Sequence, residues 1–221
     1  VKDLYSMAWA HAVRGGKDDN VWLVDNGADM VVKLSPDLSR VLLVLGRRRE
    51  SVAAAHSRPP EPPGTPIPPA RDTVFNEPTD VTWDPQGNIF VSDGYKNMSV
   101  AKFDRYGNWV TRGGKGNGAE PGSGPGEFTN PHGIAADAKG NIYVADRGNA
   151  RVQVLDSDLN WVRDIRIDIP VPPDATADVG RPAKEGTFAA GAPWAVCITP
   201  GPNQVLFMAD AYPGRIYKLS L

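Results

Sequence analysis

The chain has 221 residues, and its 24 Lys and Arg against 26 Asp and Glu leave a net charge of −2. That length can bury one core, and the balanced charge argues against a nucleic-acid partner; Arg47, Arg48 and Arg49 are a local exception, read as a solvated loop. No apolar run reaches the roughly 18 residues of a spanning helix, so no membrane partner is expected, and the single cysteine, Cys197, excludes an internal disulfide or a cysteine-based zinc cluster.

In chain order, short runs rich in β-branched and aromatic residues alternate with turns built from Gly, Asn and Asp. Four openings recur: AHAV at Ala10, PTDV at Pro78, PHGI at Pro131 and PWAV at Pro193, spaced 68, 53 and 62 residues apart. An Asp closes the second strand after each, at Asp25, Asp93, Asp146 and Asp210, offset by 14, 14, 14 and 16 from the second residue of the opening (His11, Thr79, His132 and Trp194), the last because TPGPNQ lengthens the turn. The clearest unit is PHGIAADAKGNIYVADRGNARVQVLD, three strands and two turns followed by a fourth strand, NWVRDI. Antiparallel strands repeating at this period predict an all-β fold, a β-propeller of four-stranded blades.

The blades fall at about 8–46, 75–113, 128–167 and 190–221, all in a single domain. Insertions at 47–74 and 168–189, rich in Pro, and at 114–127, rich in Gly, are read as solvent-exposed connections, with a lid over the channel as the functional alternative. The first three repeats carry a fourth strand and the last ends after its third, at RIYKLSL. Because a propeller closes its ring to protect its strand edges, the four blades are expected to be part of a six-bladed ring, with a four-bladed closure as the alternative. Trp22, Trp83, Trp109 and Trp161 fall on strands and are expected in blade packing, and Cys197, in AVCIT, is expected to be a small buried hydrophobe. The four closing Asp recur in every repeat, which marks them as turn-forming scaffold.

The blocks FNEPTDVTWDPQGNIFVSDGYKN and GEFTNPHGIAADAKGNIYVADRGNARVQVLD resemble NHL repeats, and the combination of SDGY, PH and ADR resembles peptidyl-α-hydroxyglycine α-amidating lyases and their bacterial relatives. The resemblance implies a zinc ion held by three His at strand openings, of which His11 and His132 match two. It implies a structural calcium ion with the carbonyl of Val13 as a ligand, Tyr95 as base, Arg147 as the group that grips the substrate carboxylate, and a secreted or periplasmic location. The reaction would cleave a carbinolamide to a peptide amide and glyoxylate. Zinc is a Lewis acid for the substrate hydroxyl, and a phenol with pKa near ~10 serves as base only when positive charge stands close by.

Blade geometry adds an argument of its own. Strand openings and the residues just after the closing Asp share one end of the channel, so His11, His132, Tyr95 and Arg147 are expected at a common mouth. The fourth opening departs from the pattern, carrying Trp194 where a third His would stand. His56 lies in the Pro-rich insertion and is discounted, so the third His is expected at a later blade, beyond Leu221. The alternative function is a noncatalytic NHL propeller that presents its channel mouth to a small molecule, peptide or protein partner.

Overall fold

Asp-x-x-x-Asn segments nucleate the hairpins. In Asp84–Asn88, the Asp84 carboxylate accepts the Asn88 amide N–H at 2.9 Å while the Asn88 side chain returns a bond to the same carboxylate at 2.8 Å. The same double clasp recurs at Asp104/Asn108, Asp137/Asn141 and Asp156/Asn160. Each turn needs left-handed backbone just before the Asn, supplied by Gly87, Gly107 and Gly140 at φ near 88°. Leu159 holds that position at φ 66° in the last of these turns, and its side chain packs into the core beside Phe90 and Phe128.

The computed structural model describes residues 7–16, 18–48, 74–168 and 189–221. The first sheet contains β1 (Ala10–Gly15), β2 (Val21–Asp25), β3 (Met30–Leu34) and β4 (Val41–Gly46). The second contains β5 (Asp80–Trp83), β6 (Ile89–Asp93), β7 (Ser99–Phe103) and β8 (Trp109–Gly113). The third contains β9 (Pro131–Ala136), β10 (Ile142–Asp146), β11 (Arg151–Leu155) and β12 (Trp161–Ile165). The fourth has three strands, β13 (Pro193–Ile198), β14 (Val205–Asp210) and β15 (Ile216–Ser220). All pair antiparallel in sequence order, giving three four-stranded blades and one three-stranded blade of a β-propeller.

The inner strands stand side by side, β1 against β5, β5 against β9 and β9 against β13. Asp80 on β5 ties three of them together: it pairs with the Arg14 guanidinium on β1 and accepts the Ile134 amide of β9 at 3.1 Å. The core lies between blades rather than within one. Trp22, Val24 and Leu45 meet Val81, Val91 and Phe103 across the first interface; Phe90 and Val100 meet Ile134 and Val144 across the second; Tyr143 and Val154 meet Val196 and Met208 across the third. Side chains on β6, β7, β10 and β11 are buried throughout because both sheet faces are covered by neighbouring blades.

Two packing expectations change. Trp22 and Trp83 stack at 5.7 Å and Trp109 packs edge-on to Phe103, but Trp161 is 44% exposed, its indole N–H donating to Asp164 at 2.9 Å. It sits on β12, the outermost strand of its blade, where Val162 on the opposite face is exposed as well. Cys197 is exposed rather than buried. On β13 the side chains alternate, so Val196 packs between blades while Ala195 and Cys197, on the other face, are exposed.

The 114–127 insertion has no strand, only a tight turn at Lys115–Gly118 whose backbone is left-handed at Gly116 and Asn117. The Pro-rich insertions, with His56 and Arg49, lie almost wholly outside the described residues. No helix among the described residues is long and apolar enough to cross a membrane.

Candidate functional site at the channel mouth

The strand openings hold the site, and each of three of them contains one extra residue. Ala10 pairs with Asp25 and Ala12 with Val24, so His11 is extruded from the ladder; Trp194 is extruded in the same way between Pro193 and Ala195. In β9 the shift falls between Pro131 and Ile134, at His132 and Gly133. Such bulges turn a side chain out of the sheet's alternation, and these turn two imidazoles and an indole to the channel mouth.

The closing Asp of each of the first three blades clamps the approach to its opening. Asp25 accepts the amides of Ala8 and Trp9, Asp93 that of Asn76 and Asp146 that of Thr129, each near 2.8 to 2.9 Å. The residues after these Asp then enter the mouth. Gly94 lets this happen, because a Cβ there would stand 1.7 Å from the Pro131 carbonyl oxygen; only a glycine brings the end of β6, and so Tyr95, against the opening that carries His132. Arg147 begins a 3-10 turn, Arg147–Asn149, held by the Gly148 amide donating to Thr129 at 2.7 Å.

His11, Tyr95, His132 and Arg147 therefore meet. The Tyr95 hydroxyl lies 3.4 Å from His11 Nε2 and 3.3 Å from His132 Nε2, and the two imidazole centroids are 4.8 Å apart. His11 Nδ1 is 2.7 Å from the Thr79 carbonyl and His132 Nδ1 is 2.6 Å from the Trp194 carbonyl. A carbonyl only accepts, so each Nδ1 carries the proton and each Nε2 lone pair faces the phenol. The Arg147 guanidinium lies 5.4 Å from the Tyr95 ring and 4.1 Å from that of Trp194. Val13 is on β1 opposite Leu23, two residues from His11, with its side chain exposed.

Burial, then the Arg147 charge, then His11 pull the His132 pKa down to about 3. Below pH 6.5 the unfolded chain takes up a proton that the folded imidazole refuses, so stability falls as pH drops from 6.5 toward 3. In chelator-treated protein the loss is expected to approach about 1.4 kcal/mol per pH unit. Urea titrations between pH 7 and 5 check this, with His132→Gln expected to flatten the slope by about one proton.

The donor set meets a zinc requirement in part. Neutral imidazoles whose Nδ1–H groups are anchored on carbonyls and whose Nε2 atoms converge are the usual form of metal-binding His, but a structural zinc site takes four protein ligands and a catalytic one three. Among the described residues, no three His, Cys, Asp or Glu side chains cluster to hold a metal. Two residues of the site were not assigned to it from sequence, Thr79 and Trp194, whose carbonyls set the two imidazoles. The alignment of Trp194 with His11 and His132 was the available signal for the second; Thr79 gives none, since it acts through its backbone. Two clefts lie elsewhere. One of about 370 Å³ is lined by Trp22, Trp83 and Tyr106, and another of about 390 Å³ is the channel below the openings, lined by Arg14, Ile134 and Cys197.

The NHL repeat model matches residues 75–103 and 128–155. The mouse peptidyl-glycine alpha-amidating monooxygenase is 34% identical over 161 residues, 71% of this chain and 14% of the mouse protein. The probable peptidyl-alpha-hydroxyglycine alpha-amidating lyase of Caenorhabditis elegans is 29% identical over 172 residues, 77% of this chain and 43% of that protein. Mouse NHL repeat-containing protein 3 is 31% identical over 147 residues, 64% of this chain and 36% of that one. Among solved structures, a streptogramin B lyase matches at TM-score 0.51 and 13% identity, covering 99% of this chain and 56% of that one; this is a likeness of fold. The chain is an NHL-repeat β-propeller. Within that class it resembles the peptidyl-α-hydroxyglycine α-amidating lyases, of whose curated relatives it spans less than half the length.

Proposed function

We propose that this propeller is an amidating-lyase-like metalloenzyme that cleaves a carbinolamide, converting a peptidyl-α-hydroxyglycine to a peptide amide and glyoxylate. The observation that carries the proposal is the flanking of one phenol, Tyr95, by two imidazole Nε2 atoms and a guanidinium. Tyr95 removes the proton of the substrate hydroxyl. The oxygen's electron pair then forms the aldehyde carbonyl as the carbon–nitrogen bond breaks, and the departing nitrogen takes up a proton to become the amide. Arg147 holds the carboxylate that becomes part of glyoxylate. A zinc ion held by Nε2 of His11 and of His132 would supply Lewis acidity at the hydroxyl oxygen. The Val13 carbonyl is proposed as a ligand of a structural calcium ion, and a secreted or periplasmic location is proposed from the relatives.

The alternative is a noncatalytic propeller that binds a peptide or protein at the same mouth. It is favoured by the shortage of a third ligand side chain among the described residues. Metal analysis and turnover of the full-length protein separate the two. The lyase proposal expects about one equivalent of zinc, lost in His11→Ala and His132→Ala, and glyoxylate release from an α-hydroxyglycine peptide. Zinc-loaded protein that releases no glyoxylate would remove the lyase and leave the scaffold.

A further inference from the structure

Arg147 differs from the other buried arginines of the propeller. Arg112 and Arg151 are as deeply buried, and each is paired with a closing carboxylate, Asp93 at 2.9 Å and Asp146 at 2.8 Å. Arg147 is 5% exposed, forms no ion pair among the described residues, and keeps Nε and Nη1 buried without a hydrogen-bond partner. A buried cation with two donor nitrogens lacking a protein acceptor is costly unless something arrives to accept them.

What holds this cation in place is aromatic. The Trp194 ring centroid is 4.1 Å from the guanidinium carbon and that of Tyr95 is 5.4 Å away, so the closer support comes from the indole. Stacking occupies a guanidinium's face and leaves its N–H donors to act in its own plane, the geometry that matches a carboxylate. Trp194 also reaches the metal side of the site through its backbone, whose carbonyl accepts His132 Nδ1–H at 2.6 Å.

We infer that Trp194 is a positioning residue: its indole fixes the Arg147 guanidinium so that the mouth selects ligands with a free carboxylate, while its carbonyl fixes the His132 tautomer. This deepens the lyase proposal and rests on it for the identity of the acid. Because the carbonyl survives any side-chain substitution, the indole's part is separable. Losing the indole weakens carboxylate recognition and raises KM, with a smaller effect on kcat.

The test compares N-acetylglycine with N-acetylglycinamide by NMR titration of the full-length protein, independently of turnover. Wild type is expected to favour the acid by at least about tenfold, the scale of one charge-assisted contact. Trp194→Phe, which keeps an aromatic face, retains the preference. Trp194→Leu and Trp194→Met, which keep bulk without one, reduce it by roughly tenfold, with unfolding midpoints run beside each to confirm folding. An unchanged acid-to-amide ratio in a folded Leu or Met variant overturns the inference, as does a wild type with no preference. Glyoxylate release with an unchanged ratio leaves the lyase proposal standing without the clamp. A Trp194-dependent preference without glyoxylate release does the reverse.

Discussion

Tyr95→Phe is expected to lower kcat for glyoxylate release by about 10²- to 10⁴-fold, the usual contribution of a positioned general base, while leaving carboxylate affinity close to wild type. The substitution removes one oxygen, the atom 3.4 and 3.3 Å from the two Nε2 positions. It keeps the ring, and with it the edge-on contacts to both imidazoles at 5.7 and 5.8 Å and the contact with the Arg147 guanidinium. Steady-state kinetics on metal-loaded full-length protein measure the effect. A kcat within about tenfold of wild type would assign the proton transfer to another group.

Asp146→Ala is expected to destabilise the fold by about 3 to 5 kcal/mol, the cost of leaving several buried donors, a guanidinium N–H among them, without an acceptor. Asp146 is fully buried and accepts from the Thr129 amide, Asn149, Gln153 and the Arg151 guanidinium. Its removal takes from Arg151, itself almost fully buried, the acceptor of its Nε–H and leaves it one carboxylate, Asp164 at 3.0 Å. Asp210, the matching residue of the last blade, accepts among the described residues only from the Gly214 and Arg215 amides and the Tyr217 hydroxyl. With no guanidinium among these partners, Asp210→Ala is expected to cost about 1 to 2 kcal/mol. Urea unfolding of the pair checks both values, and equal losses would mean that the Arg151 pairing contributes nothing.

The same comparison shows why the closing Asp were legible as scaffold but not as unequal scaffold. Their recurrence at a fixed offset is a property of the chain; whether an arginine comes to rest against one depends on which strands pack above it. Arg112 reaches Asp93 from β8 and Arg151 reaches Asp146 from β11, a route no spacing rule announces. The two errors of burial have a related origin. Trp161 and Cys197 occupy strand-like runs no different in kind from those of Trp22 and Val196, but β12 is an outermost strand and β13 an innermost one, and each leaves side chains exposed.

Local chemistry was enough to place the strands, the Asp-x-x-x-Asn turns and the four openings, because hairpin geometry is set by residues a few positions apart: a carboxylate, an amide, and a glycine able to take positive φ. It was also enough to put His11, His132, Tyr95 and Arg147 at one end of the channel, since the period alone carries them there. Which way those side chains turn, and what holds them, depended on contacts between blades. The carbonyls of Thr79 and Trp194 that set the imidazoles, and the indole beneath Arg147, come into place only when residues more than forty positions apart are packed against one another.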